Sequence, residues 1–163
     1  MRMYDNFEDY RKFVVVYCKA RVKCIKCVRL LAWYIVEPHF DPNNWYSFFL
    51  EKPNGNIIVS IFDWYKTPII KQYAELGVIN QEPTVSEHNI ELSENSTKEL
   101  KILLKAIGTK HEWQIEPIYL DGIRKILHIE KSPPYIVKWN MKSNNQELNN
   151  FTDFCDKNLF TQL

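Results

Sequence analysis

Two segments of this chain carry a strand–turn–strand pattern, and they restrict its fold more than anything else in it. The first runs from Trp45 to Trp64 around Asn54-Gly55. The second runs from Trp113 to Lys131 around Asp121-Gly122. Asn-Gly and Asp-Gly tolerate positive φ and suit tight hairpins, and the flanking residues are β-branched or aromatic. Antiparallel sheet is the reading. In the first hairpin Tyr46, Phe48 and Leu50 fall on one side and Trp45, Ser47 and Phe49 on the other. Ile57, Val59 and Ile61 alternate with Ile58 and Phe62 in the returning strand. Apolar residues on both sides predict a sheet covered on both faces. Pro117 demotes the first strand of the second hairpin toward an edge or a bulge.

Helical spacing surrounds these strands. Over 5–36, Tyr10, Val14, Tyr17, Cys24, Val28, Leu31 and Ile35 recur at intervals of three, four or seven, which predicts one long amphipathic helix. Asp5 and Glu8 fit a capping box at its start, and Glu37-Pro38 ends it. The β-branched run Phe13 to Tyr17 fits a strand equally well. Thr67-Pro68 opens a short helix that Gly77 closes. Glu87 to Leu92 reads as a short strand. Ser96 and Glu99 box the next helix, with Leu100, Leu103, Leu104 and Ile107 along one face and Gly108 at its end. Tyr135 to Met141 alternates as a half-buried strand after Ser132-Pro133-Pro134. Ser143 and Gln146 start a C-terminal helix carrying Leu148, Phe151, Cys155 and Leu159. The expected fold is α+β: one domain over 1–163, with a mostly antiparallel sheet of about five or six strands. A long N-terminal helix, two internal helices and a C-terminal helix pack on it.

With 45% hydrophobic and 14% aromatic residues the chain has enough apolar surface for a real core, which excludes disorder. Net charge is only +1, but it is uneven. Residues 1–40 hold eight Lys or Arg against four acids. Residues 81–100 hold Glu82, Glu87, Glu91, Glu94 and Glu99 against Lys98. The chain opens on mixed charge without the apolar segment of a secretory leader, and the apolar stretch 22–36 is interrupted by Lys23, Lys26 and Arg29. Four cysteines in a chain this long do not make a disulfide scaffold. A cytoplasmic protein without membrane contact is the expectation.

No catalytic signature is present. G-x-G-x-x-G, Walker A, G-x-S-x-G and H-E-x-x-H are all missing, and four glycines leave little for phosphate-cradling loops. Cys24 and Cys27 form one C-x-x-C, but a structural zinc site needs four ligands, so core packing accounts for them better. His39, His88, His111 and His128 are scattered. The Asn95-Ser96-Thr97 sequon is better explained by helix capping. The chain is read as leaning away from catalysis, with no cofactor and no metal.

The function expected is protein binding. An immunity or inhibitor protein that neutralises a bacterial toxin is its specific form, an expectation by class of protein and not by residues. Its contact residues would be Glu87, Glu91 and Glu94, facing a basic partner, with Trp45, Trp64 and Tyr65 as exposed aromatics. The alternative is a small enzyme or small-molecule binder with a pocket near His39 and Trp64. A nucleic-acid accessory role is the third, and needs Arg11, Arg21, Lys23, Lys26 and Arg29 in one solvent-facing stripe.

Overall fold

The computed structural model describes residues 2–22, 28–110, 122–140 and 143–163. Its elements are α1 (Phe7–Arg21), β1 (Arg29–Pro38), β2 (Asn43–Glu51), β3 (Ile57–Tyr65), α2 (Thr67–Leu76), β4 (Thr84–Glu91), α3 (Glu94–Gly108), β5 (Ile123–Ile129), β6 (Tyr135–Asn140) and α4 (Gln146–Asn158). A single 3-10 turn follows at Phe160–Gln162. The six strands form one sheet in the order β4-β3-β2-β1-β5-β6, and each neighbouring pair is antiparallel.

The sheet separates two cores. On one face Tyr10, Val14 and Cys18 of α1 and Ile69 of α2 pack on Ile35, Tyr46, Phe48, Phe62 and Trp64. On the other, Leu100, Leu104 and Ile107 of α3 and Leu148, Phe151 and Phe154 of α4 pack on Ala32, Tyr34, Phe49, Ile57, Val59 and Ile61. The central strands therefore read apolar at nearly every position, as a sheet roofed on both faces requires. The α+β expectation holds.

The long N-terminal helix is shorter than expected. It ends at Arg21, and Arg29–Pro38 is instead β1, between β2 and β5 in the middle of the sheet. The reason lies in Leu30 to Val36. A helix buries one stripe, whereas Ala32 and Tyr34 enter one core and Ile35 the other, which only a central strand allows. Within α1, Tyr10, Val14 and Cys18 repeat every four residues and are fully buried. Asn6, not Asp5, is the N-cap, its Oδ1 accepting from the Asp9 N–H at 2.8 Å. Glu8 and Asp9 in the first turn and Lys19 and Arg21 in the last complement the helix dipole.

The first hairpin is as expected, paired from Asn43↔Tyr65 to Glu51↔Ile57 with Gly55 at φ +87° in its turn. Helix α2 is capped by Lys66, one residue before the expected Thr67, and closes at Gly77, φ +69°. Strand β4 begins at Thr84, ahead of the expected Glu87, because it follows β3 to Tyr65. The N-cap of α3 is Ser93, whose Oγ accepts from the Ser96 N–H at 3.1 Å. The C-terminal helix starts at Gln146 with Asn145 as its N-cap, and Ser143 Oγ accepts from the Asn145 N–H.

The expected strand 113–120 and its Asp121 turn residue lie outside the described residues. Strand β5 lies between β1 and β6, so its hairpin partner is β6. Among the described residues no helix is long and apolar enough to cross a membrane.

Candidate functional site

The end of the sheet where β1, β3 and β6 finish and β2 and β5 begin lies beside the first half of α1 and the start of α2. Between them is a cavity of about 420 Å³. Its polar wall is built by strand pairing. Glu37 and Arg124 are direct partners across β1 and β5. Arg124 Nε donates to Glu37 Oε2 at 2.8 Å. Arg11, one turn into α1, donates its Nε to Glu37 Oε1 at 3.1 Å and pairs its second guanidinium nitrogen with Oε2. The Glu37 side chain is 7% exposed, so this carboxylate joins α1 to two strands out of water. At the rim Arg11 Nη1 also donates to the exposed Glu8 at 3.0 Å.

Lys66 forms the second part of that wall. It is buried, and its Nζ donates to the Pro38 carbonyl at 2.7 Å and to Asn44 Oδ1 at 2.8 Å. Neither acceptor is charged. Burial pushes the ammonium pKa below its ordinary value; Asp41 opposes this and the Arg11 cation adds to it. Burial also lowers Arg11, joined by the like charge of Arg124 and opposed by Glu8 and Tyr46. Phe7, Pro38 and Ile70 supply the apolar side, and His39 stands at the edge with its ring against Phe40 (centroids 4.8 Å apart). Among the described residues the lining sets three cations, Arg11, Lys66 and Arg124, against one carboxylate, Glu37.

The second candidate is the outer strand β4. The Leu92 N–H donates to the Ile57 carbonyl at 2.9 Å, which sets the alternation of the β3–β4 ladder. Residues 84, 86, 88 and 90 turn their backbone groups toward β3. Val85, Glu87, Asn89 and Glu91 turn theirs outward, and no other described strand covers them. Their side chains lie on the α1 face, opposite Trp64, Phe62, Ser60 and Ile58.

The expected contact residues do not form one surface. Glu87 and Glu91 share a face of β4, with Glu91 paired to Lys52 at 2.7 Å and Glu87 accepting from Asn89 at 3.3 Å. Glu94 is at the start of α3, exposed and paired with Lys98 at 2.9 Å. Tyr65 is 43% exposed. Trp45 is half-buried against Phe160, on the α3–α4 side of the sheet. Trp64 is a correction: it is 0% exposed, beneath Phe7 and Tyr10 at 6.0 and 5.9 Å, and is a core residue that no partner touches. Nor does it line the cavity that His39 enters.

The basic stripe is also dispersed. Arg11 turns inward to Glu37, Arg21 lies over the Tyr17 ring, and Arg29 is on β1, paired with Glu51. Lys23, Cys24, Lys26, Cys27 and His111 lie outside the described residues. Cys18 and Cys155 are free and buried in opposite cores. His88 is exposed on β4, and His128 is half-buried and stacked on Trp33. Among the described residues no group of three His, Cys, Asp or Glu is placed to hold a metal ion. Glu37, Asn44, Lys66 and Arg124 were not singled out by sequence reasoning. Their one signal is position, as polar residues at or near the ends of otherwise apolar strands.

No family model matches the chain, and no curated protein matches it significantly.

Proposed function

We propose that this is a non-catalytic protein-binding protein that captures an extended, basic segment of its partner along β4. The observation that carries the reading is the outer edge of β4, which no described strand covers. Four residues there turn backbone donors and acceptors away from the sheet, and neither proline nor lysine interrupts the strand. An added antiparallel strand would satisfy those groups. Glu87 and Glu91 stand four residues apart on one face, so the fitting segment carries Lys or Arg at positions i and i+4. Inhibition of a basic bacterial toxin, as by an immunity protein, is the specific form of this function; the acidic strand edge supports it.

The test is capture of a partner from the source cell, followed by titration of the purified partner against three forms of the protein. Glu87→Pro removes an outward N–H that β3 does not use, and Glu87→Lys with Glu91→Lys reverses the charge. Binding to the wild type with at least a tenfold loss in both variants is expected. A partner that binds all three forms alike overturns the edge reading. For the toxin form, the purified partner must itself arrest cell growth and be neutralised by one equivalent of the protein.

A further inference from the structure

We propose that the cavity at the polar end of the sheet is a binding site for a small organic oxyanion, a carboxylate or a phosphate monoester. Charge is the first argument. Arg11, Lys66 and Arg124 line the cavity, and both oxygens of Glu37, the one carboxylate among its described lining residues, are already taken by the two arginines. Glu8 lies at the rim on the same arginines and does not reach Lys66. Lys66 is 7% exposed, bonded to two neutral oxygens, and has no carboxylate within ion-pair distance among the described residues. A buried ammonium is stable beside an opposite charge and expensive without one. Its third N–H has no acceptor among the described residues. Burial is what chiefly depresses Lys66 and Arg11; beyond it Arg124 repels Arg11, and Arg11 repels Lys66 against a stronger pull from Asp41.

Shape is the second argument. The cavity is about 420 Å³, within the range of small-ligand sites. The lining combines these cations with the apolar side chains of Phe7, Pro38 and Ile70. That pairing suits an anionic head on a carbon body better than a bare inorganic ion. Guanidinium and ammonium donors both recognise carboxylate and phosphate oxygens, so the two heads share one chemistry. The site stands apart from β4 and does not depend on the protein-binding reading.

Calorimetric titration of the full chain at low ionic strength tests it, with phenyl phosphate and benzoate as anionic probes and benzamide as the neutral one. Saturable one-to-one binding of at least one anion and none of benzamide is expected; the probe that binds identifies the head group. Lys66→Met is expected to weaken that binding at least tenfold. Ile70→Trp, on the half-exposed apolar wall, is expected to fold normally and fill the cavity, with a similar loss. It keeps the test decisive should Lys66→Met fail to fold. Glu87→Pro is expected to bind the anion as the wild type does. Failure of both anions to saturate, equal affinity in the Ile70→Trp protein, or equal binding of benzamide overturns the site.

Discussion

Arg11 of α1 and Glu37 of β1 join the N-terminal helix to the centre of the sheet, Nε to Oε1 at 3.1 Å, with Arg124 completing the cluster from β5. Removing the carboxylate charge leaves two arginines facing each other, with the exposed Glu8 as the remaining acid paired with them among the described residues. Glu37→Gln is expected to lower stability by about 2–3 kcal/mol. That is below the ~3–5 kcal/mol for breaking a fully buried pair, because both arginines keep some access to water. Glu8→Gln, at an exposed end of the cluster, is expected to change stability by about 0.5 kcal/mol or less. Urea unfolding of both variants measures the difference.

Neighbours in the chain, Trp64 and Tyr65 lie on opposite faces of the sheet, one in a core and one open to solvent, and they separate packing from surface. Trp64→Ala deletes an indole stacked among Phe7, Tyr10 and Tyr46 and is expected to cost about 3–5 kcal/mol. Tyr65→Ala, at a position open to solvent, is expected to stay within about 1 kcal/mol of wild type. Similar losses for the two would mean that the β3 register is off by one residue.

What could be read from the sequence follows from how many structures a pattern fits. Asn54-Gly55 between an aromatic run and a β-branched one fits one turn, and β2 and β3 are where it puts them. Ser96 to Ile107 fits one helix, and α3 differs from expectation at its start, where Ser93 rather than Ser96 is the N-cap. Leu30 to Val36 is different. When nearly every position is apolar, the i, i+3, i+4 template and the alternating template are both satisfied, and periodicity cannot choose between them. Length and β-branched content would have favoured the strand. The cavity was hidden for another reason. Arg124 lies 87 residues from Glu37 in sequence, and Lys66 lies 22 from Asn44. Only the pairing order of the sheet brings these residues to one end.

Gly77 closes α2 at φ +69°, with nothing within 4 Å of the position a Cβ would take. A side chain there meets no steric obstacle, so its cost comes from the left-handed backbone alone. Gly77→Ala is expected to destabilise by about 1 kcal/mol and Gly77→Asn by less, since Asn enters this region more readily. Thermal unfolding of the pair checks the order. Equal effects would place the strain elsewhere in the turn.

His128 makes stability depend on pH. Its ring stacks on Trp33 of β1 with centroids 4.6 Å apart, opposite Ile136 of β6, and neither ring nitrogen has a hydrogen-bond partner. Two charges face it: Glu130 at 3.6 Å, and Lys19 of α1, which is itself within 3.5 Å of Glu130. Burial pushes the imidazole below its ordinary 6.5; Glu130 opposes this and Lys19 adds to it. The sign follows from linkage. Above about pH 7 the ring is neutral in both states and contributes no slope. As pH falls through the unfolded value near 6.5, the unfolded chain takes up the proton first, and the native state loses stability until its own lower pKa is reached. His128→Phe keeps a flat ring against Trp33 and removes the titration. Urea midpoints at pH 7.5 and pH 5.0 are expected to fall further for wild type than for the variant, whose remaining slope belongs to its carboxylates. Parallel slopes would mean that the Glu130 carboxylate compensates the buried ring in full.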